Sequence, residues 1–128
     1  MVQGPGDSHM TDIAELLRRN LFEVFDEADP AKRAAAIASL YVQEPVSFDP
    51  HGETTGRDAL SLSVGRLHAR FPQSRFTQLS EPEVHHNVGR ISWGHGTPGV
   101  PSTTTGLDVV VVENGRIAKL YTFLDPHK

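Results

Sequence analysis

The sequence predicts an α+β fold in which three helices of the N-terminal half pack on the concave face of a curved antiparallel sheet. Apolar residues recur at helical spacing before Pro72, and this period disappears after it. Beyond Pro72 the chain alternates β-branched and aromatic runs with short polar turns, which is typical of an antiparallel meander. Because helices precede most of the strands, we expect separate helical and sheet layers with a pocket between them.

Three segments carry the helical pattern, and each has a recognisable start. The first has a candidate cap at Thr11, the second opens with Asp29-Pro30, and the third follows Gly56. A capping residue followed by proline is a frequent helix start, because proline leaves no N–H unpaired in the first turn. The predicted spans are about 11–28, 29–41 and 57–71.

The strands are predicted from β-branched runs bounded by turn residues. Pro45 is expected to break the chain before a short strand, Val46-Ser47-Phe48, which a turn at Asp49-Pro50-His51-Gly52 follows. Asn114-Gly115 predicts a tight hairpin, because a type I′ turn needs positive φ at both central residues. The stretch from Gly94 to Pro101 is predicted as a loop at the mouth of the pocket, with a long hairpin connection as the alternative. The later strands are expected at about 74–86, 88–95, 103–112 and 116–124.

Length and composition limit the class of protein. Of the 128 residues, 1–10 resemble an expression scar, and 11–128 are interpreted as a single domain. The net charge of −4 without a basic cluster argues against a nucleic-acid partner. Cysteine is absent, which excludes disulfides and thiolate metal sites. No run is apolar enough to span a bilayer and no signal peptide is visible, so a soluble cytoplasmic protein without a membrane partner is expected.

Asp108 is the strongest candidate for chemistry. It lies in a β-branched run that Asn114-Gly115 closes, on the same face as Val110 and Val112. Both faces of this strand are apolar, so its carboxyl must be paired, hydrogen-bonded or protonated. A proton held in an apolar pocket can serve in catalysis. The alternative is a carboxylate at the rim that holds a loop amide.

Four short motifs, in this order, resemble those of a known family. They are Leu40-Tyr41, Val46-Ser47-Phe48-Asp49-Pro50, Gly56-Arg57-Asp58-Ala59-Leu60, and Gly106-Leu107-Asp108 ahead of Asn114-Gly115-Arg116-Ile117. Together they resemble the SnoaL-like polyketide cyclases and the steroid Δ-isomerases, which share the nuclear-transport-factor-two-like cone fold. The resemblance covers nearly the whole chain from residue 11 to residue 125. The fold hosts enzymes, ligand carriers and association domains, so it does not fix the function.

The resemblance implies a cofactor-independent acid/base site. Asp49 matches the isomerase aspartate that moves a proton between carbons. Asp108 matches the aspartate that an apolar site keeps protonated, so that it can donate a hydrogen bond to the enolate oxygen. The isomerase tyrosine on the first helix falls near Leu21, with Asn20 beside it. In the related epoxide hydrolases an arginine stands where this chain has Gly106. The resemblance implies that Tyr41, Val64, Leu120, Thr122 and Leu124 also line the pocket.

Trp93 and His95 share one face of a predicted strand. Trp93 is predicted to wall the pocket, and His95 to act as a proton shuttle, because histidine titrates near neutral pH. The alternative is that Trp93 is a core residue and His95 a hydrogen-bonded rim residue. His85 and His86 are adjacent, so they are expected on opposite faces of a strand. The histidines therefore predict no metal site.

These observations favour a cofactor-independent enzyme of the isomerase or cyclase type, acting on a small, mostly apolar carbonyl compound. Asp49 would be the base, Asp108 the proton donor or oxyanion partner, and His95 an assistant. Two alternatives are a non-catalytic binding protein for small apolar ligands and a dimerisation domain. A homodimer through the convex sheet face is expected in each case, because that face has no other predicted cover.

Overall fold

The computed structural model describes residues 13–126, and within that range the chain forms three helices and seven strands. The first helix, α1, covers residues 13–25 and is followed by α2 and α3. The bounds of the other elements are α2 Pro30–Leu40, β1 Tyr41–Asp49, β2 Gly52–Thr55, α3 Arg57–Arg70, β3 Arg75–Gln78, β4 Glu83–His85, β5 Val88–Thr97, β6 Val100–Glu113 and β7 Arg116–Leu124.

One sheet contains all seven strands, in the order β2-β1-β7-β6-β5-β3, with β4 also paired to β5. The strands from β3 to β7 pair antiparallel as expected, and the predicted α+β fold class is confirmed. The sheet is mixed, however, because β1 runs parallel to β7. Parallel neighbours need a long crossover, and here the whole segment from β2 to β6 provides it.

β1 is longer than predicted, and Pro45 does not break it. The strand starts at Tyr41, directly after α2, and the pairing with β7 shifts register between Tyr41 and Val46. Pro45 lies inside this irregularity, where a missing N–H interrupts no regular ladder. Its carbonyl accepts the amide of Gly56 at 2.8 Å. The proline therefore joins the strand to the start of α3.

The segment between Gly94 and Pro101 is a hairpin, which confirms the alternative to a loop. β5 continues to Thr97 and β6 begins at Val100, so Pro98-Gly99 alone makes the turn. The predicted strand at 74–86 is instead two strands, β3 and β4. Both pair with β5. In the break between them, the backbone amide of Leu79 donates to the carbonyl of Ser92, and the amide of Ser92 donates to the hydroxyl of Ser80.

The predicted cap of α2 and the predicted turn at Asn114-Gly115 are confirmed, whereas the predicted end of α1 is wrong. Asp29 caps α2 by accepting from the amide of Ala31 at 2.9 Å, and Pro30 occupies the first turn. Asn114 and Gly115 have φ of 52° and 77°, as the predicted hairpin turn requires. The proposed cap Thr11 lies outside the described residues. α1 ends at Phe25 and not near Ala28, and its last part, Asn20–Phe25, is π-helical.

The core lies between the helices and the concave face of the sheet. Asp108 pairs with Ile91 and Thr122 across the two neighbouring strands, so these residues share the concave face. The buried apolar residues of this layer are Ile13, Leu16, Leu17, Val24, Ala36, Ile37, Leu40, Tyr41, Leu60, Val64, Ile91, Val110, Val112, Ile117 and Leu120.

No helix of the described part of the chain is long and apolar enough to cross a membrane.

Candidate active site

Asp108 is held inside the cone by one of its two oxygens. Its side chain lies on the concave face and the residue is only 4% exposed. The indole Nε1 of Trp93 donates to Oδ1 at 2.9 Å, and the hydroxyl of Thr122 donates to the same atom at 3.2 Å. No hydrogen bond from the described residues reaches Oδ2. The carboxyl is thus fixed in orientation while one oxygen keeps its hydrogen-bonding capacity.

Burial changes the acidity of this carboxyl. Removal from water raises the pKa of Asp108 to about 6, although the hydrogen bonds from Trp93 and Thr122 act in the opposite direction. Since Oδ1 already accepts two hydrogen bonds, the proton of the acid form belongs on Oδ2. Asp108 can therefore hold and release a proton near neutral pH, and the alternative of a rim carboxylate is wrong.

Gly106 allows Trp93 to reach Asp108. The two residues Trp93 and Gly106 are register partners on adjacent strands. A methyl group on Gly106 would lie 2.4 Å from the indole ring and 2.5 Å from the carbonyl oxygen of Phe123. The indole therefore lies across β6 over a position that only glycine can occupy. From the sequence, Gly106 is informative only as the absence of an arginine, whereas the structure gives it a packing role.

Tyr41 and Asn20 form a second buried polar pair. Neither residue is exposed, and the hydroxyl of Tyr41 donates to Oδ1 of Asn20. Burial raises the pKa of Tyr41 well above its ordinary value, and the charge of Asp108 raises it further. Sequence reasoning did not propose Asn20 as a site residue. A signal was present, because Asn20 falls on the apolar stripe of α1 between Leu17 and Val24.

Asp49 lies apart from this group. It is exposed at the end of β1, and its Oδ1 accepts the backbone amide of His51 at 2.7 Å. Alternation along β1 places Asp49 on the same face as Ser47, whose partner on β7 is Leu120. Two strand spacings, roughly 10 Å, separate β1 from β6. The structure therefore puts Asp49 on the concave face but not in hydrogen-bonding contact with Asp108, and its catalytic role stays a prediction.

His95 shares the concave face with Trp93, as predicted. It is half-buried, with its ring 4.3 Å from that of Phe76 between centroids and an edge contact with Phe71 at 5.9 Å. Burial lowers the pKa of His95, while the charge of Asp26 acts in the opposite direction. The ring is thus biased towards its neutral form. Its role as a proton shuttle stays a prediction.

The remaining predicted pocket residues divide between core and rim. Val64 and Leu120 are fully buried members of the main apolar cluster. Leu124 is 41% exposed near the end of β7. Thr122 is the residue among them that contacts Asp108.

Asp108 lines neither of two open hollows on the surface of the described residues. The larger, of about 590 Å³, is lined by Arg18, Gln78, Leu79, Ser80 and Glu81. The smaller, of about 240 Å³, is lined by Glu83, His85, Val88, Gly89, Arg90 and Val109.

His85 and His86 do not point to opposite faces, so that prediction is wrong. Their Nδ1 atoms are 3.2 Å apart, because His86 leaves the strand with φ of 53°. Among residues 13–126 no group of three histidine or acidic side chains could hold a metal ion.

The fold resembles that of solved proteins with SnoaL-like and cystatin-like folds. A protein of the SnoaL-like family from Agrobacterium tumefaciens str. C58, proposed to be an isomerase, is 25% identical with a TM-score of 0.83 over 91% of this chain and 100% of its own. A proposed SnoaL-like polyketide cyclase from Jannaschia sp. CCS1 is 14% identical with a TM-score of 0.72 over 98% and 91% of the two chains. A proposed ketosteroid isomerase from Kribbella flavida DSM 17836 is 14% identical with a TM-score of 0.70 over 93% and 82%.

The structural neighbours confirm the resemblance that the motifs indicate. They include SnoaL-like, ketosteroid isomerase-like and cystatin-like fold proteins, and several are of unknown function. A scan against protein-family models found no match, and neither did a search of curated proteins. The two neighbours at 14% identity show the fold alone.

Proposed function

We propose that this protein is a cofactor-independent acid/base enzyme of the isomerase or cyclase type. Its substrate would be a small, mostly apolar carbonyl compound bound between the helices and the concave face. The observation that carries the proposal is the state of Asp108, which is buried and anchored through Oδ1 with no hydrogen bond from the described residues to Oδ2. An anchored carboxyl with one uncommitted oxygen is suited to proton transfer.

In the proposed reaction, Asp108 acts on the carbonyl oxygen and Asp49 on carbon. Asp49, as a carboxylate, accepts a proton from the carbon next to the carbonyl, and the C–H electron pair moves to form the enol double bond. The proton on Oδ2 of Asp108 is shared with, or passes to, the oxygen on which the negative charge develops. Where the enol is conjugated with a second double bond, return of the proton to the far carbon of that bond gives isomerisation, whereas attack of the enol carbon on a second carbonyl gives ring closure.

The enzyme proposal is tested with a ketone that reports enolisation. In ²H₂O, the protein should catalyse hydrogen–deuterium exchange at the α carbon of 1-indanone, followed by NMR. Asp108→Asn should lower the rate by about a hundredfold, because an amide cannot pass a proton to the developing enolate oxygen and oxyanion partners contribute on this scale. Asp49→Asn should lower it as well.

The matched control is Asp125→Asn. Asp125 is an exposed carboxyl that accepts a hydrogen bond from Thr105 at the end of the sheet. This variant should exchange 1-indanone at the wild-type rate. If Asp108→Asn exchanges the ketone as fast as Asp125→Asn does, Asp108 has no part in catalysis.

A binding protein without turnover is the second candidate, and the separation of the two carboxyls favours it. Asp49 is exposed at the end of β1, where its carboxylate accepts the amide of His51, and it makes no hydrogen bond with Asp108. This candidate predicts saturable binding of 1-indanone with α-proton exchange no faster than in buffer. Saturable binding together with exchange that depends on Asp108 would exclude it.

A further inference from the structure

The side-chain amide of Asn20 is a buried donor without a partner. Asn20 has no exposed surface, and its Oδ1 accepts from the hydroxyl of Tyr41. Its Nδ2 is buried and makes no hydrogen bond. Buried amide donors are almost always paired, since an unpaired donor loses its hydrogen bonds to water and gains none in return. The orphaned Nδ2 therefore needs an explanation in function.

The local backbone is unusual at the same residue. α1 is α-helical from 13 to 19 and becomes π-helical at Asn20–Phe25. The amide of Asp26 bonds to the carbonyl of Leu21, five residues earlier, at 3.0 Å. π-helical turns are rare and occur often at functional sites, because the wider turn changes the direction of side chains. Here the wider turn begins at Asn20, the residue whose side-chain amide lacks a partner.

Asn20 belongs to the same interior as Asp108. Its partner Tyr41 is close enough to Asp108 for the carboxylate charge to raise the pKa of the phenol. The next residue, Leu21, packs in one cluster with Trp93, which donates to Asp108. The orphaned amide and the uncommitted carboxyl oxygen are thus two unsatisfied groups within one buried site.

We infer that Nδ2 of Asn20 is a hydrogen-bond donor for an oxygen atom of the bound ligand. A carbonyl or enolate oxygen fits, because it accepts a hydrogen bond and donates none, whereas an all-carbon ligand would leave the amide unpaired. The inference rests on the proposed function for the site, and it adds that recognition requires a ligand oxygen on the α1 side of the interior. Since Nδ2 is closed to water, side chains must move aside on entry, so slow association is expected.

The test compares 1-indanone with indane, which has the same ring system without the oxygen. Dissociation constants are measured by calorimetry on the full chain. The wild type should prefer the ketone by about tenfold, which corresponds to one net hydrogen bond. Asn20→Asp keeps an acceptor for Tyr41 and replaces Nδ2 by oxygen, so the preference should disappear.

Asn87→Asp is the matched control, because its amide already has a partner in the carbonyl oxygen of Val112 at 3.3 Å. This variant should keep the ketone preference. A second measurement needs no variant: in the wild type, the side-chain amide protons of Asn20 should shift downfield in NMR spectra with 1-indanone but not with indane. Equal affinity of the wild type for both compounds, a preference retained in Asn20→Asp, or unmoved amide protons would each overturn the inference.

Failure of this inference can be told from failure of the proposed function. Loss of ketone preference in Asn20→Asp, with α-proton exchange unaffected by Asp108→Asn, would leave Asn20 as a binding donor in a protein without catalysis by Asp108. Exchange that depends on Asp108, with ketone preference retained in Asn20→Asp, would remove Asn20 from the site and leave the catalytic proposal standing.

Discussion

At the scale of the residue, the arrangement around Asp108 separates two functions that a carboxyl usually combines. Oδ1 receives both donors, from Trp93 and Thr122, and fixes the orientation of the group. Oδ2 has no such partner among the described residues. Burial then raises the pKa of Asp108 to about 6. A group with these properties can donate a proton in a definite direction close to physiological pH.

The raised pKa predicts how stability depends on pH. The folded protein binds the Asp108 proton more tightly than the unfolded chain, because the pKa rises from 3.8 to about 6 on folding. The contribution of Asp108 to stability is therefore present in full below pH 3.8 and is lost as the pH rises through about 6, by about 3 kcal/mol in all. Asp108→Asn, which does not titrate, should gain stability relative to wild type by this amount between pH 3.5 and pH 8.

Urea unfolding at a series of pH values measures this difference. Other carboxyls titrate in the same range, but they are common to both proteins and cancel. A wild-type and variant difference that stays constant across the range would show that Asp108 keeps an ordinary pKa. The fluorescence of Trp93, the single tryptophan, should follow the same titration in the wild type, because its indole donates to Asp108.

The activity of the proposed enzyme should also depend on the protonation state of Asp108. If Asp108 is the proton donor, kcat/KM for α-proton exchange falls as the pH rises through about 6, since the acid form is lost. If the rate instead rises through about 6, Asp108 acts as the base, and the roles of the two carboxyls must be exchanged. A pH-rate profile of wild type against Asp49→Asn distinguishes the two.

At the scale of the element, a single glycine of β6, Gly106, determines where Trp93 lies. Gly106 leaves space for the indole of Trp93 to cross the strand, and the register of β5 with β6 brings the two together. The hydrogen bond from Trp93 to Asp108 depends on that crossing. The position of the donor is therefore fixed by strand pairing together with the absence of a side chain two residues before Asp108.

Gly106→Ala should disturb both packing and acidity. The methyl group would lie within 2.5 Å of the indole and of the Phe123 carbonyl, so unfolding should become easier by about 1–3 kcal/mol. Displacement of Trp93 removes a hydrogen bond that lowers the pKa of Asp108, so that pKa should rise further. Urea unfolding and the pH titration of Trp93 fluorescence measure the two effects. Gly99→Ala is the control, because a methyl group there meets no atom within 4 Å.

At the scale of the whole molecule, the convex face of the sheet has no layer packed on it among the described residues. Phe48 and Tyr121 stack there at 4.7 Å, and Phe123 on the same face is 55% exposed. We propose that a second copy of the chain covers this face, since an exposed apolar sheet surface commonly marks an interface.

Val109 is the register partner of Tyr121 on this face. The Val109→Arg variant should therefore shift the protein to monomer in sedimentation experiments. Leu62→Arg is the control, because Leu62 is 63% exposed on α3, away from the sheet. If the wild type is itself monomeric, or if the two variants sediment alike, the convex face is not the interface.

Local patterns fixed much of the fold in advance. The cap at Asp29-Pro30, the turn at Asn114-Gly115 and the end of α3 were all predictable, because each depends on the backbone preferences of a few neighbouring residues. Pro45 was misjudged because a proline is tolerated at a bulge, and the bulge exists only through pairing of β1 with β7. The π-helical turn at Asn20–Phe25 was missed because the apolar period of α1 does not distinguish it from an α-helix.

By itself, the sequence determined that Asp108 lies on an apolar strand, that Trp93 and His95 share a face, and that the chain has helices before a meander. Those properties follow from side-chain alternation and local propensity. Only the tertiary structure decided that Trp93 and Thr122 donate to one oxygen of Asp108, that Asn20 is buried with an unpaired amide, and that Asp49 is exposed. The physical reason is that hydrogen bonding and burial depend on which strands and helices pack together. That packing is determined by contacts between residues far apart in the chain.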